Sequence, residues 1–167
     1  MAEVLLCTRE DIMTRTNLSG NIDTDKLTPF IKIAQDIHIQ GLLGTKLYEK
    51  ILSGISDGTI TDEYETFTIK YVKPILIHYA VADLLSFHAY SVDNGGIFKH
   101  SSDTGETVSK EEVDKIVKKQ RDIGDHYRSF LVRHLQLHPE NFPEYVEYQE
   151  EGIYPSGNYN GWTGWVL

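Results

Sequence analysis

From Thr61 onward the positions Tyr64, Phe67, Tyr71, Ile75, His78, Ala82, Leu85 and Ala89 step by three and four, the spacing of a single helix face. Thr61-Asp62-Glu63 opens that stretch with acids suited to the positive end of a helix dipole. Pro74 lies inside it and predicts a kink or a split, because proline removes a backbone donor and crowds the preceding turn. Upstream, Leu27, Ile31, Ala34 and Ile37 predict a helix from about Asp25, with Pro29 tolerable only in its first turn. Gly41 and Gly44 interrupt the pattern, so a second short helix is expected from Thr45 to about Ser53. Thr8-Arg9-Glu10-Asp11 caps a brief helix through Ile12 and Met13.

Asp93-Asn94-Gly95-Gly96 stops the middle helix, and Ile97 to Val108 predicts a β-hairpin with Asp103-Thr104-Gly105 at its tip. Ser109-Lys110-Glu111-Glu112 is a capping box for a long helix. That helix carries Val113, Ile116, Gln120, Ile123, Tyr127, Phe130, His134 and Leu137 on one face, and Pro139 ends it after His138. After Pro143 the composition changes: Tyr145, Tyr148, Tyr154, Tyr159, Trp162 and Trp165 stand among Gly152, Gly157, Gly161, Gly164 and Pro155. Such a segment is too aromatic for a merely solvated tail. It reads as an arm whose aromatics anchor on another surface, with packing on its own domain as the alternative. The expected fold is therefore mainly α. It is a compact bundle of four to five helices (residues 1–145) with a small β-hairpin or long loop, followed by an extended C-terminal arm (residues 146–167).

Composition changes this picture little. The chain has 167 residues, 40% of them hydrophobic and 25% charged, as an ordinary globular domain does. A formal net charge of −9 argues against a general binder of nucleic acid or anionic lipid, both of which require basic surface. A single cysteine, Cys7, fits a reducing compartment. Met1 to Leu6 lacks the basic region of a signal peptide, and Ile75 to Tyr90 is too short and too often interrupted to span a bilayer. The expectation is a soluble protein with no membrane partner.

Candidate chemistry is sparse. Phosphate-binding, dinucleotide-binding and nucleophile-elbow motifs are missing from the sequence. No histidine has an acid three residues before it, which excludes the Glu-x-x-His pairs of di-iron bundles. His134 and His138 are four apart, yet no third ligand stands at motif spacing, and a helix C-terminus favours such residues anyway. Lys115, Lys118, Lys119 and Arg121 alternate with Glu111, Glu112, Asp114 and Asp122, as on a solvated helix face. These readings predict no catalytic residue, no metal and no cofactor. The alternative is a cytoplasmic helical enzyme or small-ligand or metal binder that uses the polar residues His78, Asp83 and His88 of the middle helix.

One resemblance covers most of the chain. Gly20-Asn21-Ile22-Asp23, Lys26-Leu27, Ala34-Gln35-Asp36-Ile37-His38-Ile39-Gln40 and Leu43-Gly44-Thr45-Lys46-Leu47-Tyr48 resemble small head–tail connector proteins of tailed bacteriophages. Lys73-Pro74, the run Gly96 to Val113, and Tyr154-Pro155 with Gly161-Trp162 extend the likeness, which points in particular to the crAss-like short-tailed phages. The resemblance implies a structural virion protein, an adaptor repeated as a homo-oligomer in a twelve-fold ring beneath the portal protein. It would contact the portal and other connector or tail proteins at the head–tail junction after assembly in the host cytoplasm. DNA would pass through the ring without sequence-specific binding, a role that acidic character suits. The family's functional surfaces are interfaces, so the candidate protein-interaction residues are Phe98 in the loop and Tyr154, Tyr159, Trp162, Trp165 and Leu167 in the arm.

Overall fold

A computed structural model describes residues 4–16, 18, 24–88, 90–93, 96–99, 109–146 and 152–156. The chain is mainly α, with α1 (Arg9–Arg15), α2 (Thr24–Ala34), α3 (Gly41–Leu43), α4 (Thr45–Ser56), α5 (Asp62–Phe67), α6 (Lys73–His88), α7 (Lys110–Leu137) and α8 (Pro143–Val146). One two-stranded antiparallel sheet joins β1 (Tyr90–Asp93) to β2 (Gly96–Lys99).

Two of these helices begin as their sequences dictate. Thr8 accepts from the Asp11 N–H while the Asp11 carboxylate accepts from the Thr8 N–H, closing a capping box at α1. Ser109 and Glu112 do the same at α7.

The stretch from α2 to α3 is helical throughout but changes pitch. Residues Gln35–Gln40 form a π-helical turn between the two. Its wider turn shifts the buried phase: Leu27, Ile31 and Ala34 are buried in α2, and then Gln35 and Ile39 follow them inside. Ile37, expected on the buried face, is 63% exposed. The true break is at Gly44, whose φ of 78° lies where only glycine is unstrained, while Gly41 stays helical. Pro29 also departs from expectation. It lies beyond the first turn of α2, on an exposed position where water can satisfy the carbonyl that it leaves unpaired.

The split expected at Pro74 takes the same form. The helical path is divided beside Pro74, running from α5 through a π-helical turn, Thr68–Val72, into α6. The Lys73 N–H donates to the Thr68 carbonyl five residues back, so the ladder has already changed step where Pro74 cannot donate.

α6 is the centre of the molecule. Ile75, Leu76, Ile77, Ala80, Val81, Ala82 and Leu84 are all buried, and a helix apolar around its whole circumference must be internal. Its most extensive contacts are with α7 and α2, and α1 and the first π-helical turn also touch it. Each of its larger side chains contributes about 1.5–3 kcal/mol by leaving water. The N-terminal segment is tied on by Gln35. This buried amide accepts from the Leu6 N–H at 2.8 Å and donates to the Val4 carbonyl and the Tyr48 hydroxyl, both at 3.0 Å. All of its polar atoms are thereby satisfied, as a buried amide requires.

An antiparallel pair lies just upstream of the stretch where a hairpin was expected. Strand β1 pairs Tyr90 with Lys99 and Asp93 with Gly96, so the connection is the dipeptide Asn94-Gly95, the sequence best suited to a two-residue hairpin link. The predicted tip, Asp103-Thr104-Gly105, lies outside the described residues.

Candidate interaction surface

α7 spans 28 residues yet buries only a narrow face: Gly124, Leu131 and Leu135. At 100° per residue these positions cluster on one side of the helix. The lack of a side chain at Gly124 lets the Tyr79 ring lie close; a β-carbon there would stand 3.3 Å from it. Burial, followed by the hydrogen bond to the Asp125 carboxylate, pushes the Tyr79 hydroxyl up to about 12. His38 stacks on the same ring at 4.1 Å.

The heptad-spaced stripe of α7 lies to one side of that buried face. Among the described residues, Ile116 is 48% exposed, Tyr127 37%, Phe130 50% and Leu137 63%. Val113, Gln120, Ile123 and His134 of the same stripe are half-buried. The stripe therefore does not form the core seam that its spacing suggested. The core lies one step around the helix, at Gly124, Leu131 and Leu135. What remains is an apolar edge with coiled-coil periodicity, facing solvent.

Aromatic and histidine rings line that edge. His78 of α6 has Nδ1 2.7 Å from Gln120 Oε1, and its ring lies over Tyr127 with centroids 5.9 Å apart. His126 meets Phe130 edge-on at 4.8 Å. Farther along, His134 stacks on Tyr71 at 4.3 Å, with His138 at 4.8 Å and Phe142 at 5.9 Å. There the edge opens into a depression of about 380 Å³ lined by Glu63, Lys70, Tyr71, His134 and Phe142, among others. Burial, then the neighbouring charge of His138, holds His134 below its ordinary 6.5 and favours its neutral form.

The opposite flank of α7 is polar. Arg121 reaches Asp83 at 3.4 Å, and the same carboxylate lies 3.7 Å from His38 Nε2. Arg128 donates to the Ser156 hydroxyl at 3.3 Å. Ser156 ends a short strap, Gly152 to Ser156, held on the body by reciprocal bonds. The Thr45 N–H donates to the Ile153 carbonyl at 3.0 Å, the Ile153 N–H donates to Thr45 Oγ1 at 2.7 Å, and the Ser156 N–H donates to the Gly41 carbonyl at 2.8 Å. A second apolar patch lies elsewhere: Phe87 near the end of α6 packs on Phe30 of α2 at 5.6 Å and is 66% exposed, with Ile33 of α2 also exposed.

The predicted site residues are distributed unevenly. Tyr154 is in the strap and exposed. Phe98 is in β2, opposite Ser91. Tyr159, Trp162, Trp165 and Leu167 lie outside the described residues. His78 and Asp83 are not brought together, since each engages a different partner on α7, and the side chain of His88 lies outside the described residues. Among the described residues no three histidines, cysteines or acids gather as a metal-holding group, and no helix is long and apolar enough to cross a membrane. Cys7 is buried, and that burial, reinforced by Asp11, lifts its thiol to about 12 despite Lys73. A thiol so held is a poor nucleophile.

Sequence reasoning found the stripe on α7 but placed it inside. The signal it missed is Gly124. A lone glycine in a long helix, with Leu131 and Leu135 in register, marks close approach to a neighbour. No curated protein and no solved structure matches the chain. The model of a family described only as being of unknown function, DUF6712, matches residues 39–152, from the first π-helical turn to the beginning of the strap. With more than half its length matched, the chain belongs to that family.

Proposed function

We propose that the chain is a structural subunit of a tailed-phage virion, forming a ring of the head–tail connector beneath the portal and extending the DNA channel toward the tail. The observation that carries the reading is the exposed apolar edge of α7. Large apolar surface that a chain leaves uncovered marks a place where another protein sits. A second exposed patch, at Ile33 of α2 and Phe87 of α6 beside half-buried Phe30, supports a ring in particular. Rings of identical subunits need two different surfaces, one meeting the other around the circle. The resemblance to connector proteins supplies the virion context and the twelve-fold count. Burial of Cys7 and the separate engagement of His78 and Asp83 lend no support to an enzyme or ligand binder built on those residues.

Electron cryomicroscopy of intact particles tests the reading. The expected result is side-chain density for this chain in a ring between portal and tail. Complete, infectious particles that lack the chain overturn it.

A further inference from the structure

We propose that in the free protein the α7 edge of one copy packs antiparallel on the α7 edge of a second copy, closing a two-fold dimer. The inference goes beyond the connector reading and does not depend on it. It names what covers the edge before any larger partner is met.

The spacing of the edge specifies a helix as its partner. Val113, Gln120, Tyr127 and His134 recur every seven residues, and Ile116, Ile123, Phe130 and Leu137 follow each of them by three. These are the a and d positions of four successive heptads, whose side chains act as knobs for the holes of a facing helix. An extended strand, with its two-residue period, matches no such repeat.

Charge sets the direction. On the solvent side of the seam, one residue before each a position, stand Glu112, Lys119, His126 and Arg133, all exposed. On the other side stand half-buried Val117 and buried Gly124 and Leu131, turned toward the chain's own core. A parallel partner would set the first column against the second, where Glu112 and Arg133 meet no opposite charge. An antiparallel partner sets the first column against itself, and such flanking charges choose the orientation of paired helices.

Register follows from the same column. When Val113 faces the second copy's Phe130, Ile116 its Tyr127 and Gln120 its Ile123, Glu112 stands opposite Arg133 at both ends, with Lys119 beside His126 between them. Sliding by one heptad brings Lys119 against Arg133. Sliding the other way brings Lys119 against the second copy's Lys119. Both alternatives set like charges together, which is unfavourable across paired helices. Gln120, whose Oε1 lies 2.7 Å from His78 Nδ1, lies near the two-fold axis, and a polar residue at an a position also fixes register. From Glu112 to Arg133 the seam runs about 32 Å at roughly 1.5 Å per residue. A pair that uses the same patch on both copies is closed and adds no third copy. On the connector reading it keeps the edge covered until a ring replaces it.

The test is a charge exchange in the full chain, read by native mass spectrometry and sedimentation equilibrium. The unsubstituted chain should dimerise. Glu112→Lys alone and Arg133→Glu alone should each weaken the dimer by about tenfold, because each loses two pairs and gains two like-charge contacts. Mixing the two variants should restore a dimer containing one copy of each. A mixture no better than either variant overturns the proposal, as does a dimer that neither variant weakens. Rings in place of dimers overturn it and favour the connector reading. Monomers at every concentration overturn it while leaving open a ring that forms only on docking. Because Glu112 also closes the α7 cap, a second measurement avoids it. Copies carrying Val113→Cys, mixed with copies carrying Phe130→Cys and gently oxidised, should give a mixed disulfide. Ready disulfide formation between two Ile116→Cys copies, which a parallel pair would bring face to face, overturns the antiparallel arrangement.

Discussion

α6 and α7 pack against each other along most of their common length, yet they treat their apolar residues in opposite ways. From Ile75 to Leu84 α6 is apolar around most of its circumference and buried, with His78 and Asp83 half-buried. α7 has a clean stripe with heptad spacing and leaves half of it open, docking instead through Gly124, Leu131 and Leu135. An all-round apolar helix has one possible environment. A helix with a single stripe has two, its own core or another chain, and periodicity alone does not choose between them. The choice is made by the neighbour: Tyr79 occupies the notch at Gly124, and that contact turns the stripe aside.

Substitutions should separate the two helices sharply. Leu76→Ala in α6 removes a fully buried side chain and should cost about 2–5 kcal/mol in urea unfolding. Gly124→Leu forces a side chain into the Tyr79 ring and should cost about 1–3 kcal/mol by the same measurement, since overpacking displaces both helices. Gln35→Met leaves the Leu6 N–H and the Val4 carbonyl without their partner, for a loss of about 1–3 kcal/mol. Phe130→Ser, on the open edge, should change the stability of the isolated subunit by less than about 1 kcal/mol. If Phe130→Ser instead costs as much as Leu76→Ala, the edge belongs to the core and the contrast between the helices disappears.

The smallest expected effect is a pH dependence. His134 titrates below its ordinary 6.5 in the folded chain because burial and His138 disfavour its charge. The unfolded chain therefore binds the proton more readily, and the contribution of His134 to stability is present above about 6.5 and fades as pH falls through its lowered folded value. Melting temperature should decline from pH 7 toward pH 5, and His134→Phe should flatten part of that decline. Asp11 acts in a separate, lower window. Burial raises its pKa, but hydrogen bonds from Lys73 and Thr8 outweigh burial and hold it below the ordinary 3.8, so its contribution is lost only as pH falls below that value.

Much of the fold was legible where a local signal has one meaning. The Thr8 and Ser109 caps, the end of α7 before Pro139, and the central apolar helix all follow from residues within a turn of one another. The π-helical turns at Gln35–Gln40 and Thr68–Val72 left no such signal, because an extra residue per turn depends on how the flanking turns pack. Ile37 was assigned inward on an unbroken α period and turned outward for that reason. The pairing of Tyr90–Asp93 with Gly96–Lys99 was not expected, although Asn94-Gly95 is a strong hairpin dipeptide; the expected tip, Asp103-Thr104-Gly105, lies outside the described residues. At the candidate surface, every residue of the α7 stripe was named from spacing. Its exposure was not legible, because exposure is decided by how Tyr79 of α6 meets Gly124 rather than by the stripe itself.

The central claim is that the open edge of α7 is where copies of this chain meet. Sedimentation velocity of the full chain over a hundredfold range of concentration, beside an Ile116→Lys/Phe130→Lys variant, tests it most directly. The account predicts a discrete larger species for the unsubstituted chain and a monomer for the variant, with circular dichroism and melting temperature nearly unchanged. A variant that assembles like the parent, or one that unfolds, contradicts it.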